Sequence, residues 1–182
     1  MLKFGDILVT YGSFGLWPPR RLLLWIVYNG IYLYQKKKWG EYSDYKPTHV
    51  RMYDKDGFFF ESTTPNCRFI HTSKLDLDKK KYLIVRCKKI DKLNRTLMRE
   101  KMNDLEGTPY DIGDLADFFI TGVLLGYFKD NISLIGDRTK KYLVCSTALG
   151  TILKVGGFPI IPQVTDPAFF VNRPDLFTII KE

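Results

Sequence analysis

Tyr142-Leu143-Val144-Cys145-Ser146-Thr147-Ala148-Leu149 is the stretch on which the reading of this chain turns. A short polar approach, Asp137 to Lys141, leads into it. Ala148, Leu149, Ile152, Leu153 and Val155 then continue at helical spacing as far as Gly156-Gly157. The pattern predicts a helix that opens near Cys145 and stops at the two glycines. The first turn of a helix carries free backbone N–H groups and the positive end of the dipole, and both favour a thiolate. A thiolate there is a nucleophile if a histidine reaches it. A lone cysteine at a helix start is more often a buried structural residue, so the rest of the chain has to decide.

The search for a base is short, because the chain has two histidines, His49 and His71. Thr48 to Tyr53 and Phe58 to Thr63 read as a β-hairpin around Asp54-Lys55-Asp56-Gly57. A two-residue loop would put His49 and Glu61 on opposite faces. A three-residue loop, Lys55-Asp56-Gly57 with Gly57 in the left-handed region, pairs Asp54 with Phe58. Arg51 is then opposite Glu61, His49 is opposite Thr63, and His49, Arg51 and Glu61 share a face. Glu61 is diagonal to His49, about 7–8 Å away and within reach of a long side chain. Read blandly, Glu61 is one half of a cross-strand ion pair with Arg51. His71 follows Arg68-Phe69-Ile70 in a short strand, with no acceptor that a turn would place beside it. Cys67 and Cys87 lack a helix start, which favours inert thiols.

Working outward, Asp6 to Thr10 is a short apolar strand, and Tyr82 to Cys87 is a third strand, central because it is apolar on both faces. Asp91 to Leu105 reads as an amphipathic helix capped by Asp91 and closed near Gly107. Gly107-Thr108-Pro109-Tyr110-Asp111 is a turn, Ile112 to Phe128 an apolar helical stretch, and Leu176 to Ile180 a last strand. Strands first and helices after them indicate an α+β fold. No internal repeat and no long linker divides the 182 residues, so residues 1–182 are expected to form one domain. Leu22 to Tyr34 is almost continuously apolar between Arg20-Arg21 and Lys36-Lys37-Lys38. As a helix it would be about 20 Å long, against a bilayer core of about 30 Å. It reads as a helix covering the core, with a membrane-surface position as the competing reading.

The net charge of +8 allows an anionic partner, whether a membrane surface, a nucleic acid or an envelope polymer, and selects none of them. The lysine runs at 36–38 and 79–81 read equally well as solvated faces, which puts nucleic acid last. Three cysteines without zinc-ligand spacing argue against a disulfide framework, and no metal or cofactor is expected. Met1-Leu2-Lys3-Phe4-Gly5-Asp6 lacks the features of a signal peptide, so the expected location is cytoplasmic, with peripheral membrane contact allowed by the basic surface.

Gly5-Asp6-Ile7-Leu8, Thr48-His49-Val50-Arg51-Met52-Tyr53, Phe60-Glu61-Ser62, Gly107-Thr108-Pro109-Tyr110-Asp111 and Val144-Cys145-Ser146 occur in that order. Together they resemble the circularly permuted papain-like branch of the NlpC-type cysteine hydrolases. That group is similar to lecithin retinol acyltransferase and includes bacterial and poxviral members. The tail Pro162-Gln163-Val164-Thr165-Asp166-Pro167 also resembles the family's late Pro-containing segment. The resemblance implies a permuted papain-like fold with Cys145 as nucleophile, His49 as base and Glu61 orienting the imidazole. Tyr110 matches a tyrosine near the site in such proteins. Arg51 departs from the pattern, since the family usually has a small residue there. A guanidinium at that place could select an anionic substrate or compete for Glu61. The implied activity is thiol-dependent hydrolysis or acyl transfer at an amide or ester of a peptide, cell-wall or lipid-type substrate. The alternative is a non-catalytic binding module using the same cleft and a basic surface.

Overall fold

Alternating and fully apolar segments of the chain pair into strands β1 (Ile7–Tyr11), β2 (Pro47–Tyr53), β3 (Phe58–Ser62), β4 (Cys67–His71), β5 (Tyr82–Cys87) and β6 (Phe177–Lys181). They form one six-stranded antiparallel sheet in the order β4-β3-β2-β1-β5-β6. The computed structural model describes residues 1–11, 35–36, 38–40, 47–75, 77, 82–110, 144–162 and 165–181. The segment Arg20 to Tyr34, the stretch Ile112 to Phe128, Asp111, the approach Asp137 to Lys141 and Lys79 to Lys81 lie outside the described residues.

Every residue of β1 is buried, as an inner strand covered on both faces requires. One face of the sheet carries Ile7, Val9, Val50, Met52, Phe60, Leu83 and Val85. Two helices pack there, α1 (Arg95–Leu105) through Met98, Met102 and Leu105, and α2 (Cys145–Val155) through Ala148, Leu149, Ile152 and Leu153. The other face holds a smaller cluster around Leu8, Phe59 and Ile84. The architecture of the described residues is therefore α+β. Asp6, fully buried at the entry to β1, accepts a bidentate pair from Arg86 of β5, Nε to Oδ1 and Nη2 to Oδ2, both at 2.7 Å. Such a fork fixes geometry as well as charge.

Three expectations change in detail. Tyr82 to Cys87 is an inner strand, but the fifth in the chain, lying between β1 and β6. Asp91 does not cap α1: Ile90–Lys92 is a separate 3-10 turn, and the Asn94 side chain accepts from the Leu97 N–H at 3.1 Å. Asn is as good a cap as Asp, and Asp91 instead meets Arg95 at 2.9 Å. Val155, at the last turn of α2, is exposed rather than part of the apolar face. The predicted stop holds, with Gly156 as C-cap and Gly157 at φ +94°.

Candidate active site

The hairpin between β2 and β3 sets the register of the site. Its turn has positive φ at both Asp56 (51°) and Gly57 (80°), the pair of left-handed residues a type I′ turn uses. The Phe58 N–H donates to Lys55 O (2.8 Å) and the Asp54 N–H to Phe58 O (2.9 Å), so Phe58 faces two residues. That extra residue produces the even register, with Arg51 opposite Glu61, Met52 opposite Phe60 and Tyr53 opposite Phe59. His49, Arg51 and Glu61 consequently share a face, as the Gly57 position predicts. The one unexpected feature is the left-handed Asp56, a conformation Asp tolerates better than most residues.

Glu61, 1% exposed, is the junction of the site. Its Oε2 lies 3.2 Å from His49 Nε2 and 2.6 Å from Arg51 Nε, and its Oε1 accepts from Arg68 Nε at 2.9 Å. Arg51 is 12% exposed and also points Nη1 at Thr10 Oγ1, 3.5 Å away. Its guanidinium is held among these side chains and competes with His49 for one carboxylate oxygen. Arg68, directly opposite Glu61 on β4, has no counterpart in the sequence reading.

Cys145 is the first residue of α2, with Val144 at the N-cap, and is 5% exposed. Its thiol lies beside the His49 imidazole, close enough for each group to shift the other's protonation. Because Nε2 is engaged by Glu61, the ring nitrogen left for the sulfur is Nδ1. A residue at the start of α2 thus meets one near the start of β2. The helix start is pinned from its far side. Ser146 Oγ donates to Thr165 O (2.9 Å), and Thr165 Oγ1 donates back to Ser146 O (3.0 Å). Gly150 permits that approach, since a Cβ there would come within 3.0 Å of Pro162 Cα. Asp166 next door accepts from Lys38 Nζ (2.9 Å) and Trp39 Nε1 (3.1 Å).

Charge on the pair is mutually supported. Burial works against a thiolate at Cys145, but the charge of His49, its hydrogen bond and the N–H groups of Val50 and Ser146 together bring the thiol below its ordinary range. Burial likewise works against imidazolium at His49. The Cys145 thiolate, the bond to it and the bond to Glu61 outweigh that and raise the imidazole, while Arg51 pulls the other way. Burial pushes the Cys67 and Cys87 thiols up.

Burial also disfavours charge on Glu61, yet the bond to His49 and the guanidinium of Arg51 lower its pKa from 4.5 to about 2. A carboxyl that is more acidic folded than unfolded stabilises the fold at pH values above its unfolded pKa. That contribution, about 3 kcal/mol, is lost as pH falls through the window toward the folded pKa. Urea unfolding at about pH 5 and pH 3 should show the loss, with a clearly smaller slope in Glu61→Gln. Equal slopes in the two proteins would mean that another carboxylate controls acid stability.

Of the remaining expected residues, Tyr110 is half-buried beside the start of β4, its N–H donating to Pro65 O at 2.9 Å next to the Asn66–Pro109 bridge. His71 caps the 3-10 turn Thr72–Lys74, with Nδ1 accepting from the Ser73 N–H at 3.2 Å. Among the described residues, no group of three His, Cys, Asp or Glu side chains could hold a metal ion, and no helix is long and apolar enough to cross a membrane. No family model matches the chain, and neither does any curated protein.

Proposed function

We propose that this chain carries a thiol-dependent acyl-transfer site, acting as a hydrolase or acyltransferase on an amide or ester. The observation that carries the reading is the Cys145–His49–Glu61 group, a buried thiol at a helix start beside an imidazole whose Nε2 meets a buried carboxylate. This is the order of nucleophile, base and orienter that such chemistry needs. Together with the motif order, it favours the permuted papain-like branch of the NlpC-type hydrolases as the fold family.

In the reaction, Cys145 Sγ forms a bond to the substrate carbonyl carbon, and the carbonyl π electrons move to its oxygen. N–H groups at the start of α2 would hold that oxyanion. His49 gives its proton to the leaving amine or alcohol as that bond breaks, leaving a thioester. Water, or a second acceptor, then attacks the thioester. His49 takes the attacker's proton, and Sγ departs as thiolate. Glu61 accepts the imidazole N–H throughout and favours the charged ring. Arg51 acts on Glu61, tempering how strongly His49 holds its proton, rather than meeting the substrate. Substrates of peptide, cell-wall or lipid type fit this chemistry equally.

Iodoacetamide labelling near neutral pH, with mass mapping of the modified peptides, tests the reading. Cys145 should label well before Cys67 and Cys87, and His49→Ala should remove that preference. Faster labelling of either other thiol would leave the binding-module reading in its place.

A further inference from the structure

Along an antiparallel strand, successive backbone N–H groups point alternately to the two neighbouring strands. In β2 the Tyr53 N–H donates to Asp6 O (2.7 Å), and Tyr53 O accepts from the Gly5 N–H (2.8 Å), so Tyr53 faces the β1 side. Alternation places Arg51 and His49 on that side as well. The Thr10 hydroxyl reaching His49 O at 3.4 Å agrees. Met52 and Val50 therefore face the β3 side. Pairing on that side runs through Tyr53–Phe59, Met52–Phe60 and Arg51–Glu61 and then ends. Ser62, the last residue of β3, pairs with Cys67 of β4, and no Val50–Ser62 pair follows Arg51–Glu61 on the β2 side.

The Val50 N–H is thus aimed, fully buried, at a place where the sheet offers it no carbonyl. A buried N–H without an acceptor is costly. The Val50 N–H acts instead on Cys145 Sγ, whose thiol it and the Ser146 N–H help to bring below the ordinary range. We propose that Val50 is a further catalytic residue, whose main-chain N–H, left without a ladder partner beyond the Arg51–Glu61 pair, holds the Cys145 sulfur in its anionic form. The proposal rests on the reading of Cys145 as nucleophile. A donor fixed by the sheet needs no reorganisation when His49 takes the thiol proton. It raises the thiolate fraction near neutral pH in exchange for some intrinsic nucleophilicity.

Replacing the Val50 amide by an ester, through the α-hydroxy analogue of valine, removes the N–H and keeps the side chain. The rate of iodoacetamide labelling of Cys145 is then followed against pH. The midpoint should move up by about one pH unit, so that labelling at about pH 6 falls about tenfold. The control is the same change at Met52, whose N–H faces Phe60 within the ladder. That ester should lower the melting temperature and leave the midpoint in place. An unmoved midpoint in the Val50 ester, or an equal shift in the Met52 ester, overturns the proposal while leaving Cys145 as nucleophile. An ordinary thiol midpoint in the unaltered protein overturns both. Should the Val50 ester not fold, the amide proton of Val50 in full-length protein gives the answer by nuclear magnetic resonance. Its shift should titrate with the Cys145 midpoint, and its exchange with solvent should speed up in Cys145→Ala. Identical behaviour of that proton in the two proteins overturns the proposal.

Discussion

Cys145→Ala and His49→Ala should each remove nearly all turnover of an activated acyl donor such as p-nitrophenyl acetate, and the double variant should lose little more. The expected loss for His49→Ala is on the order of a thousandfold in kcat, typical of a positioned base that also activates a nucleophile. Cys145→Ala removes the atom that bonds to the carbonyl, so only background hydrolysis should remain. The double variant is the informative one, because residues that work as one unit are strongly non-additive. The mutual support of charge between the two side chains makes them such a unit. Losses that multiply in the double variant would mean that the two residues act independently. Glu61→Gln should cost less than either change, since an amide oxygen still accepts the imidazole N–H but supports the imidazolium poorly.

Glu61→Ala should have the largest effect on stability. Arg51 is 12% exposed and has Glu61 as its 2.6 Å partner, so truncation leaves a nearly buried guanidinium without a counter-charge. Breaking such a pair from one side costs about 3–5 kcal/mol. Arg68, 45% exposed, still reaches water and adds little to the cost. Combining Arg51→Met with Glu61→Leu should recover much of the loss, because an apolar pair carries no stranded charge. Urea denaturation reads both outcomes. A Glu61→Ala protein within about 1 kcal/mol of wild type would show that Arg51 finds another acceptor.

The parts of this arrangement that follow from chain-local rules were legible in the sequence. Gly57 at the end of a three-residue loop sets the parity that puts Arg51 opposite Glu61, and paired glycines after an apolar period end α2. What was not legible depends on contacts between distant segments. Arg68 faces Glu61 only once β4 is in register, and the connection Thr63-Thr64-Pro65-Asn66 does not by its length fix that register. The Arg86 partner of Asp6 lies 80 residues away, and the mutual bonds of Ser146 and Thr165 join α2 to the tail. Local propensity also misled at Asp91, where an acidic residue ahead of an amphipathic run looked like the cap that Asn94 provides. The meeting of His49 with Cys145 was expected from motif order alone. It joins β2 to the start of α2, elements far apart in the chain, and no spacing rule predicts that.

The central claim is that Cys145 is held as a thiolate by His49, and the most direct measurement is the ultraviolet absorbance of thiolate against pH in wild type, His49→Ala and Cys145→Ala. Wild type should show one thiolate that persists below the ordinary thiol range, absent from Cys145→Ala and returned to a higher pH in His49→Ala. Cys67 and Cys87 should titrate above that range in all three proteins. A wild-type protein whose three thiols all ionise above the ordinary range, unchanged by His49→Ala, would contradict the account.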